Sequence, residues 1–177
     1  NNFTAEQKFS EIVKQAQKKG FTEPDPRDDL NGKDFARKLL LLCRELGEKM
    51  EMDDLEIEQL LPLSCQKAET VDQFYQELAQ QDAKFSEMVE KASADGQVLR
   101  YIASYHSGQA RIELKAVDQE HPFYSLKGSD NIISIQTSRY RNPLVIKGAG
   151  AGAQVTAAGI LADIFKIAVS AKKRRIF

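Results

Sequence analysis

Two helical patterns meet at the run Gly20-Phe-Thr-Glu-Pro-Asp-Pro-Arg-Asp-Asp-Leu-Asn-Gly-Lys-Asp-Phe-Ala-Arg-Lys38. Before it, residues 4–19 carry apolar side chains at helical spacing, and Gly20 is typical of the residue that ends a helix. After it, a second apolar helix, buried on most sides, is predicted to begin near Asn31–Lys33 and to continue to Leu46. Because the linking loop holds four acidic residues and two prolines, a stiffened acidic segment lies directly before a buried helix.

Beyond these helices the chain alternates between helix and strand patterns. Leu55–Leu60 suggests a short strand, and Thr70 is predicted to cap a helical region that reaches Asp95, as one helix or as two separated near residues 80–82. The patterns that follow predict four strands and a last helix: Val98–Tyr105, Ala110–Val117, 131–138, 144–147 and 153–169. The order α-α-β-α-β-β-β-β-α predicts an α+β fold in which helices pack on one mixed, largely antiparallel sheet.

The bulk composition argues against several classes of protein. At 177 residues with a net charge of −1, the chain lacks the basic character typical of proteins that bind nucleic acid or an anionic membrane. Its apolar stretches are shorter than the roughly 20 residues of a membrane span, and no secretory signal pattern opens the chain. We therefore expect a cytoplasmic protein with neither nucleic acid nor membrane as a partner.

The two cysteines, Cys43 and Cys65, form neither a Cys-x-x-Cys pair nor a metal-binding spacing with His106 or His121. Reduced thiols and no metal site are therefore expected. The chain begins Asn1-Asn2 without a methionine, which suggests a processed product or a piece of a longer protein.

Asp34 and Lys38 are the first candidates for chemistry, because residues four apart share one face of a helix. In one interpretation the acid positions the lysine to deliver a proton to a substrate oxygen. In the other they are an ordinary helix ion pair, worth about 0.3–0.5 kcal/mol when exposed. Spacing alone favours the ion pair.

The acidic loop is the second candidate, with Glu23, Asp25, Asp28 and Asp29. Acids before a helix cap its free N–H groups and complement its dipole, yet capping uses one or two of them. The remaining acids are suited to the amino group of a small cationic or zwitterionic ligand. Both interpretations stay open on the residues alone.

The third candidate is the glycine turn Lys147-Gly-Ala-Gly-Ala-Gly152, which lies between a predicted strand and helix. Glycines there let backbone N–H groups approach a ligand closely. A dinucleotide fingerprint, however, also needs a downstream strand with an acid about 20 residues further on, and this chain has only one helix left. A tight structural turn is the alternative.

In combination, these motifs resemble homoserine dehydrogenase. The first run looks like the signature of that family, and three later motifs match it in the same order: Pro122-Phe123, Gly128-Ser-Asp-Asn131 and Gly148–Gly159. The resemblance covers essentially the whole chain and is closest to the C-terminal part of bifunctional aspartokinase–homoserine dehydrogenases. It implies a substrate-binding and dimerisation domain over residues 1–147 and, over 148–177, a segment that returns to a nucleotide-binding domain absent from this chain.

The implied reaction is reversible reduction of L-aspartate 4-semialdehyde to L-homoserine, with a hydride from NADH or NADPH. By motif position, Lys38 would give the proton to the aldehyde oxygen, and Asp34 would orient or assist it. Glu23 and Asp29 would hold the substrate's ammonium group and hydroxyl. Three glycines would lie beside the cofactor: Gly148, Gly150 and Gly152.

The resemblance also implies a homodimer formed through the sheet, and an isolated chain without dehydrogenase activity, since the main NAD or NADP domain is missing. A second interpretation is a non-catalytic ligand-binding or dimerisation module of a regulatory protein. A strand followed by Gly-x-Gly-x-x-Gly in the parent sequence distinguishes the two.

Overall fold

The computed structural model describes residues 3–4, 6–128, 130–150 and 152–174, with side chains described up to residue 170. Ser129 and Ala151, which belong to two of the quoted motifs, lie outside the described residues. The chain forms two compact units, one ending at Tyr124 and one beginning at Ser125. The predicted acidic loop and its helices belong to the first unit, and the glycine turn belongs to the second.

The first unit contains six helices and three strands within its described residues: α1 Phe9–Lys18, α2 Arg27–Leu30, α3 Lys33–Glu45, β1 Leu55–Ile57, α4 Leu63–Gln66, α5 Val71–Gln80, α6 Asp82–Ala94, β2 Val98–His106 and β3 Gln109–Val117. A 3₁₀ turn at Met52–Asp54 precedes β1. The predicted helical region after Thr70 is two helices, and the Thr70 hydroxyl accepts a hydrogen bond from the Gln73 amide at 3.1 Å, as expected of a cap. The short helices α2 and α4 were not predicted.

Helix α1 begins at Phe9, five residues later than its periodicity predicts. One of its free N-terminal N–H groups is satisfied from a distant element, since the buried carboxylate of Asp82 accepts from the Ser10 amide at 2.9 Å and also from the Ser10 hydroxyl at 2.6 Å. The helix ends as predicted at Gly20, whose φ of 72° is in the left-handed region that glycine adopts without strain.

The three strands of the first unit form one mixed sheet in the order β1-β3-β2. Strands β2 and β3 are antiparallel and joined by Ser107 and Gly108, which both have positive φ, as a type I′ turn requires. Strand β1 lies parallel to β3, with Ile57 opposite Ile112. The predicted hairpin and the predicted α+β class are both confirmed.

Helix α3 packs on this sheet and forms one core with it, made of Ala36, Leu39, Leu40, Cys43, Met50, Leu55, Ala110 and Ile112. We expected α3 to be buried on most sides, and this was wrong. Leu41 is 63% and Leu42 43% exposed, because the sheet covers a single face of the helix. A second core includes Phe74, Leu78 and Phe85.

The second unit consists of an antiparallel pair, β4 Asp130–Ile135 and β5 Leu144–Ala149, followed by α7 Ala153–Arg174. The five strands therefore form two small sheets, whereas the sequence predicted one. Apolar periodicity identifies strands but does not determine which of them pair. The predicted domain boundary between residues 147 and 148 falls inside β5.

Helix α7 presents its apolar side chains to solvent, including Ile164, Phe165 and Ile167, which are 56%, 61% and 69% exposed. The 18-residue window Ala153–Ser170 is long and apolar enough to cross a membrane by length and composition alone. This differs from the expectation that no such stretch exists. Core helices of soluble proteins can be as long and apolar, so this window by itself does not distinguish a membrane span from a helix that another protein surface covers.

Candidate functional site

The acidic loop is a compact corner built around α2. The Glu23 amide donates to the Asp29 carboxylate at 2.9 Å, which ties the start of the loop to the helix that follows. This bond brings the two predicted substrate-binding residues together, and both are exposed. Within the described chain, the Glu23 carboxylate itself forms no hydrogen bond or ion pair, so it remains available to a ligand.

Asp25 is structural rather than free. Its carboxylate accepts from the Arg27 amide at 3.0 Å and from the Arg27 guanidinium at 2.5–3.0 Å. Arg27 also donates to the carbonyl of Ala68, which anchors the corner on the segment between α4 and α5. The hydrogen bonds from Arg27 hold the pKa of the Asp25 carboxyl below its ordinary value of 3.8. Arg27, the charge opposite these acids, was not predicted as part of the site.

Asp34 and Lys38 meet across one turn of α3, with the Lys38 Nζ 2.8 Å from the Asp34 carboxylate. Both side chains are 56% exposed, so in this chain the pair lies in a high dielectric and contributes only a few tenths of a kcal/mol to stability. Its geometry is that of an ordinary helix ion pair. The catalytic interpretation depends on what covers this face.

The first turn of α3 is fixed closely against the sheet. The Asn31 side chain accepts from the Lys33 amide at 2.9 Å, and Gly32 has a φ of 76°. A Cβ on Gly32 would lie 2.5 Å from the Tyr101 hydroxyl and 3.0 Å from a methyl carbon of Ile57. Both the backbone angle and the close approach therefore require glycine here.

An open cleft of about 480 Å³ lies beside this corner. Its lining combines charged and amide side chains with an apolar part: Asp25, Arg27, Asp28, Asn31, Lys33, Ile57, Gln59, Leu61 and Gln66. None of the four predicted residues Glu23, Asp29, Asp34 and Lys38 lines it. The predicted site is therefore an exposed surface of this chain, not an enclosed pocket.

The glycine turn connects β5 to α7 in the second unit. Gly148 lies opposite Asn131 in the β4–β5 pair, and the Asn131 amide occupies the space that a Cβ on Gly150 would need. A Cβ on Gly148 or Gly152 would meet nothing within 4 Å. The described chain thus explains glycine at 150 by contact, and at 152 by a φ of 135°, but leaves the space over Gly148 open.

The Pro122-Phe123 motif is held by a half-buried cation. Arg100 on β2 donates to the carbonyls of Phe123 at 2.9 Å and Tyr124 at 2.7 Å. Burial lowers the pKa of the guanidinium from its usual value, which is far above physiological pH. Among the described residues, no group of three or more His, Cys, Asp or Glu side chains is arranged to hold a metal ion.

Comparison with known proteins identifies the family. The sequence pattern of the homoserine dehydrogenase family matches residues 1–165. The chain is 45% identical over 171 residues to bifunctional aspartokinase/homoserine dehydrogenase 1 of Arabidopsis thaliana, and 44% identical over 175 residues to homoserine dehydrogenase of Saccharomyces cerevisiae. Each match covers 95% of this chain. The chain spans 19% of the plant relative and 49% of the yeast relative.

Solved structures share the fold of this chain. A Candida auris protein of unknown function is 44% identical with a TM-score of 0.85, and the match covers 93% of this chain and 48% of that one. A hyperthermophilic archaeal homoserine dehydrogenase in complex with NADPH, 19% identical with a TM-score of 0.62, has the same fold over 93% of this chain and 41% of its own. This chain belongs to the homoserine dehydrogenase family.

Proposed function

We propose that this chain is the substrate-binding catalytic part of an oxidoreductase that reversibly reduces L-aspartate 4-semialdehyde to L-homoserine with NADH or NADPH. The observation that carries the proposal is the Asp34–Lys38 pair. In a chain of this family, a lysine and an acid meet at 2.8 Å on a solvent-facing turn of α3 whose start is fixed against the sheet. The ammonium group is thereby held in place and remains accessible to a substrate.

In this role Lys38 delivers the proton to the aldehyde oxygen during reduction and accepts it back from the hydroxyl during oxidation. Asp34 orients the ammonium group through their ion pair. Exclusion of water from this exposed face would strengthen the Asp34–Lys38 ion pair and the contact of Lys38 with the substrate oxygen, because Coulomb energies grow as the effective dielectric falls. The protein surface that excludes water from this face is proposed to come from outside the chain.

Glu23 and Asp29 are proposed to hold the amino-acid substrate. Their backbone–side-chain bond places two acids at one corner, and the Glu23 carboxylate has no partner in the described chain. Two acids at one point suit the ammonium group of an amino acid and, for Asp29, its hydroxyl. Asp25 is excluded from this role because Arg27 neutralises it.

Gly148, Gly150 and Gly152 are proposed to flank the cofactor, which supplies the hydride when bound. The open space over Gly148 fits this proposal, since nothing in the described chain requires glycine there. The main dinucleotide-binding domain is proposed to lie outside the chain, with residues 148–177 returning to it and residues 1–147 forming the substrate and dimerisation domain. Burial by that domain accounts for the exposed apolar side chains of α7.

A homodimer through the sheet and a cytoplasmic location are also proposed. The outer edges of β1 and β2 pair with no further strand among the described residues, which leaves the sheet open to a second copy. The plant relatives are named as chloroplastic, so location varies among relatives. Neither a nucleic acid nor a membrane is proposed as a partner, because the chain is nearly neutral.

The test is oxidation of L-homoserine by the full-length protein that carries this segment, with NAD⁺ and NADP⁺ supplied in turn. We expect turnover by the full-length protein and none by the isolated chain, because the isolated chain lacks the hydride-acceptor site. Absence of turnover by the full-length protein with both cofactors supports a non-catalytic binding module instead. Turnover by the isolated chain contradicts the proposed division between its two parts.

A further inference from the structure

Tyr101, in the middle of β2, contacts the start of α3 in two ways. Its ring meets the Phe35 ring edge-on, with centroids 5.5 Å apart. Its hydroxyl lies over Gly32, at 2.5 Å from where a Cβ would be. Because Gly32 lies directly before α3 and Phe35 lies in its first turn, the Tyr101 side chain contacts the start of the helix at two points.

The Tyr101 hydroxyl is itself held in place. It donates to the Glu58 carbonyl at 2.7 Å. Glu58 in turn is tied to β3 at both ends, since its amide donates to the Ile112 carbonyl at 2.8 Å and its carboxylate accepts from the Leu114 amide at 3.1 Å. Burial raises the pKa of the Tyr101 phenol above its ordinary value of 10, so the hydroxyl is protonated at neutral pH and donates this hydrogen bond.

We propose that Tyr101 is a positioning residue for the reaction: through Gly32 and Phe35 it sets where the first turn of α3 presents Asp34 and Lys38. The inference rests on the proposed function, because it matters only if that pair acts on a substrate. Asp34 is adjacent to Phe35, and Lys38 is one turn further along the same helix. A small shift of this turn therefore moves both groups relative to a substrate held at Glu23 and Asp29.

Tyr105 supplies a matched control. It is four residues along the same strand, so its side chain lies on the same face of β2, and it packs on the same core as Tyr101. Its hydroxyl, however, faces Glu48, beyond the C-terminal end of α3. Removing either hydroxyl changes the same kind of group on the same strand, but only Tyr101 contacts the turn that carries Asp34.

The experiment compares Tyr101→Phe with Tyr105→Phe in the full-length enzyme, with kcat, KM for homoserine and Tm measured for each. We expect kcat of Tyr101→Phe to fall about tenfold with KM within about twofold, because small misplacements of reacting groups reduce turnover strongly. Tyr105→Phe is expected to keep kcat within about twofold. An unchanged kcat in Tyr101→Phe, an equal loss in Tyr105→Phe, or a loss confined to KM contradicts the proposal.

A double variant separates positioning from a general loss of stability. If Tyr101 acts through the first turn of α3, combining Tyr101→Phe with Asp34→Asn lowers kcat by less than the product of the two single effects. If the two losses multiply, the residues act independently and the proposal fails. This readout remains decisive when Tyr101→Phe also lowers Tm.

Lys38→Ala, measured in the same assay, keeps the two claims apart. Near-normal turnover in that variant contradicts the proposed function itself. Strong loss in Lys38→Ala together with normal turnover in Tyr101→Phe contradicts only the role of Tyr101.

Discussion

At the scale of single residues, the four acids of the loop have different roles. Asp25 is paired with Arg27, and Asp29 accepts from the Glu23 amide, so these two stabilise the corner. The Glu23 side chain is exposed and forms no hydrogen bond or ion pair within the described chain. The sequence predicted that some of these acids cap the helix and others bind a ligand, but it did not show which acid has which role. The role of Asp25 became clear only from the position of Arg27, which is anchored to the carbonyl of Ala68, 41 positions away in the sequence.

The Asp25–Arg27 pair predicts a pH-dependent stability for this chain. Because the pKa of Asp25 is lowered in the folded state, the pair stabilises the fold above pH 4 and this contribution is lost as pH falls through the lowered pKa. Asp25→Asn is expected to reduce the free energy of unfolding by about 1 kcal/mol at pH 7, with a smaller reduction at about pH 3, below the ordinary Asp pKa of 3.8. Urea unfolding of both proteins at the two pH values measures this. An equal difference at both contradicts the assignment.

At the scale of elements, the corner between α2 and α3 determines the site. Gly32 combines a left-handed backbone angle with contacts to Tyr101 and Ile57, so two separate features exclude a side chain there. Gly20 at the end of α1 has a similar φ of 72°, yet a Cβ there would meet nothing within 4 Å. A substitution at Gly20 therefore introduces backbone strain alone, whereas one at Gly32 introduces both strain and overlap with neighbouring side chains.

Gly32→Ala is expected to destabilise the chain by about 2–4 kcal/mol, because strain and overlap with the Tyr101 hydroxyl add together. Gly20→Ala is expected to cost about 1–2 kcal/mol from strain alone. Thermal or urea unfolding of the two variants gives the comparison. Equal losses would show that the contact over Gly32 is unimportant.

The elements themselves were largely predictable from the sequence, while their partners were not. Periodicity located α3, α5, α6 and the β2–β3 hairpin to within a few residues, because each buries one face and has a cap or a turn at its end. The four-residue helix α2 is too short to show a period. The parallel pairing of β1 with β3 joins segments more than 50 residues apart, and no local pattern encodes it.

At the scale of the whole molecule, the chain corresponds to only part of the length of its relatives. It spans 49% of the yeast relative, its predicted catalytic pair is exposed, and the apolar side of α7 is uncovered. The candidate residues came from resemblance to the family, since spacing alone favoured an ordinary ion pair. Spacing could not identify Lys38 as catalytic because Asp34 and Lys38 are exposed like any surface ion pair. The burial that would distinguish a catalytic lysine is proposed to come from outside this chain.

The proposed proton transfer by Lys38 is tested by measuring kcat of Lys38→Ala in the full-length enzyme. Lys33→Ala is the control, since Lys33 is an exposed lysine on the same helix with no ion pair in the described chain. We expect Lys38→Ala to lower kcat by about 10²–10⁴-fold with an unchanged circular dichroism spectrum, and Lys33→Ala to stay within about twofold of the parent. Near-normal kcat in a folded Lys38→Ala variant would show that Lys38 does not transfer the proton.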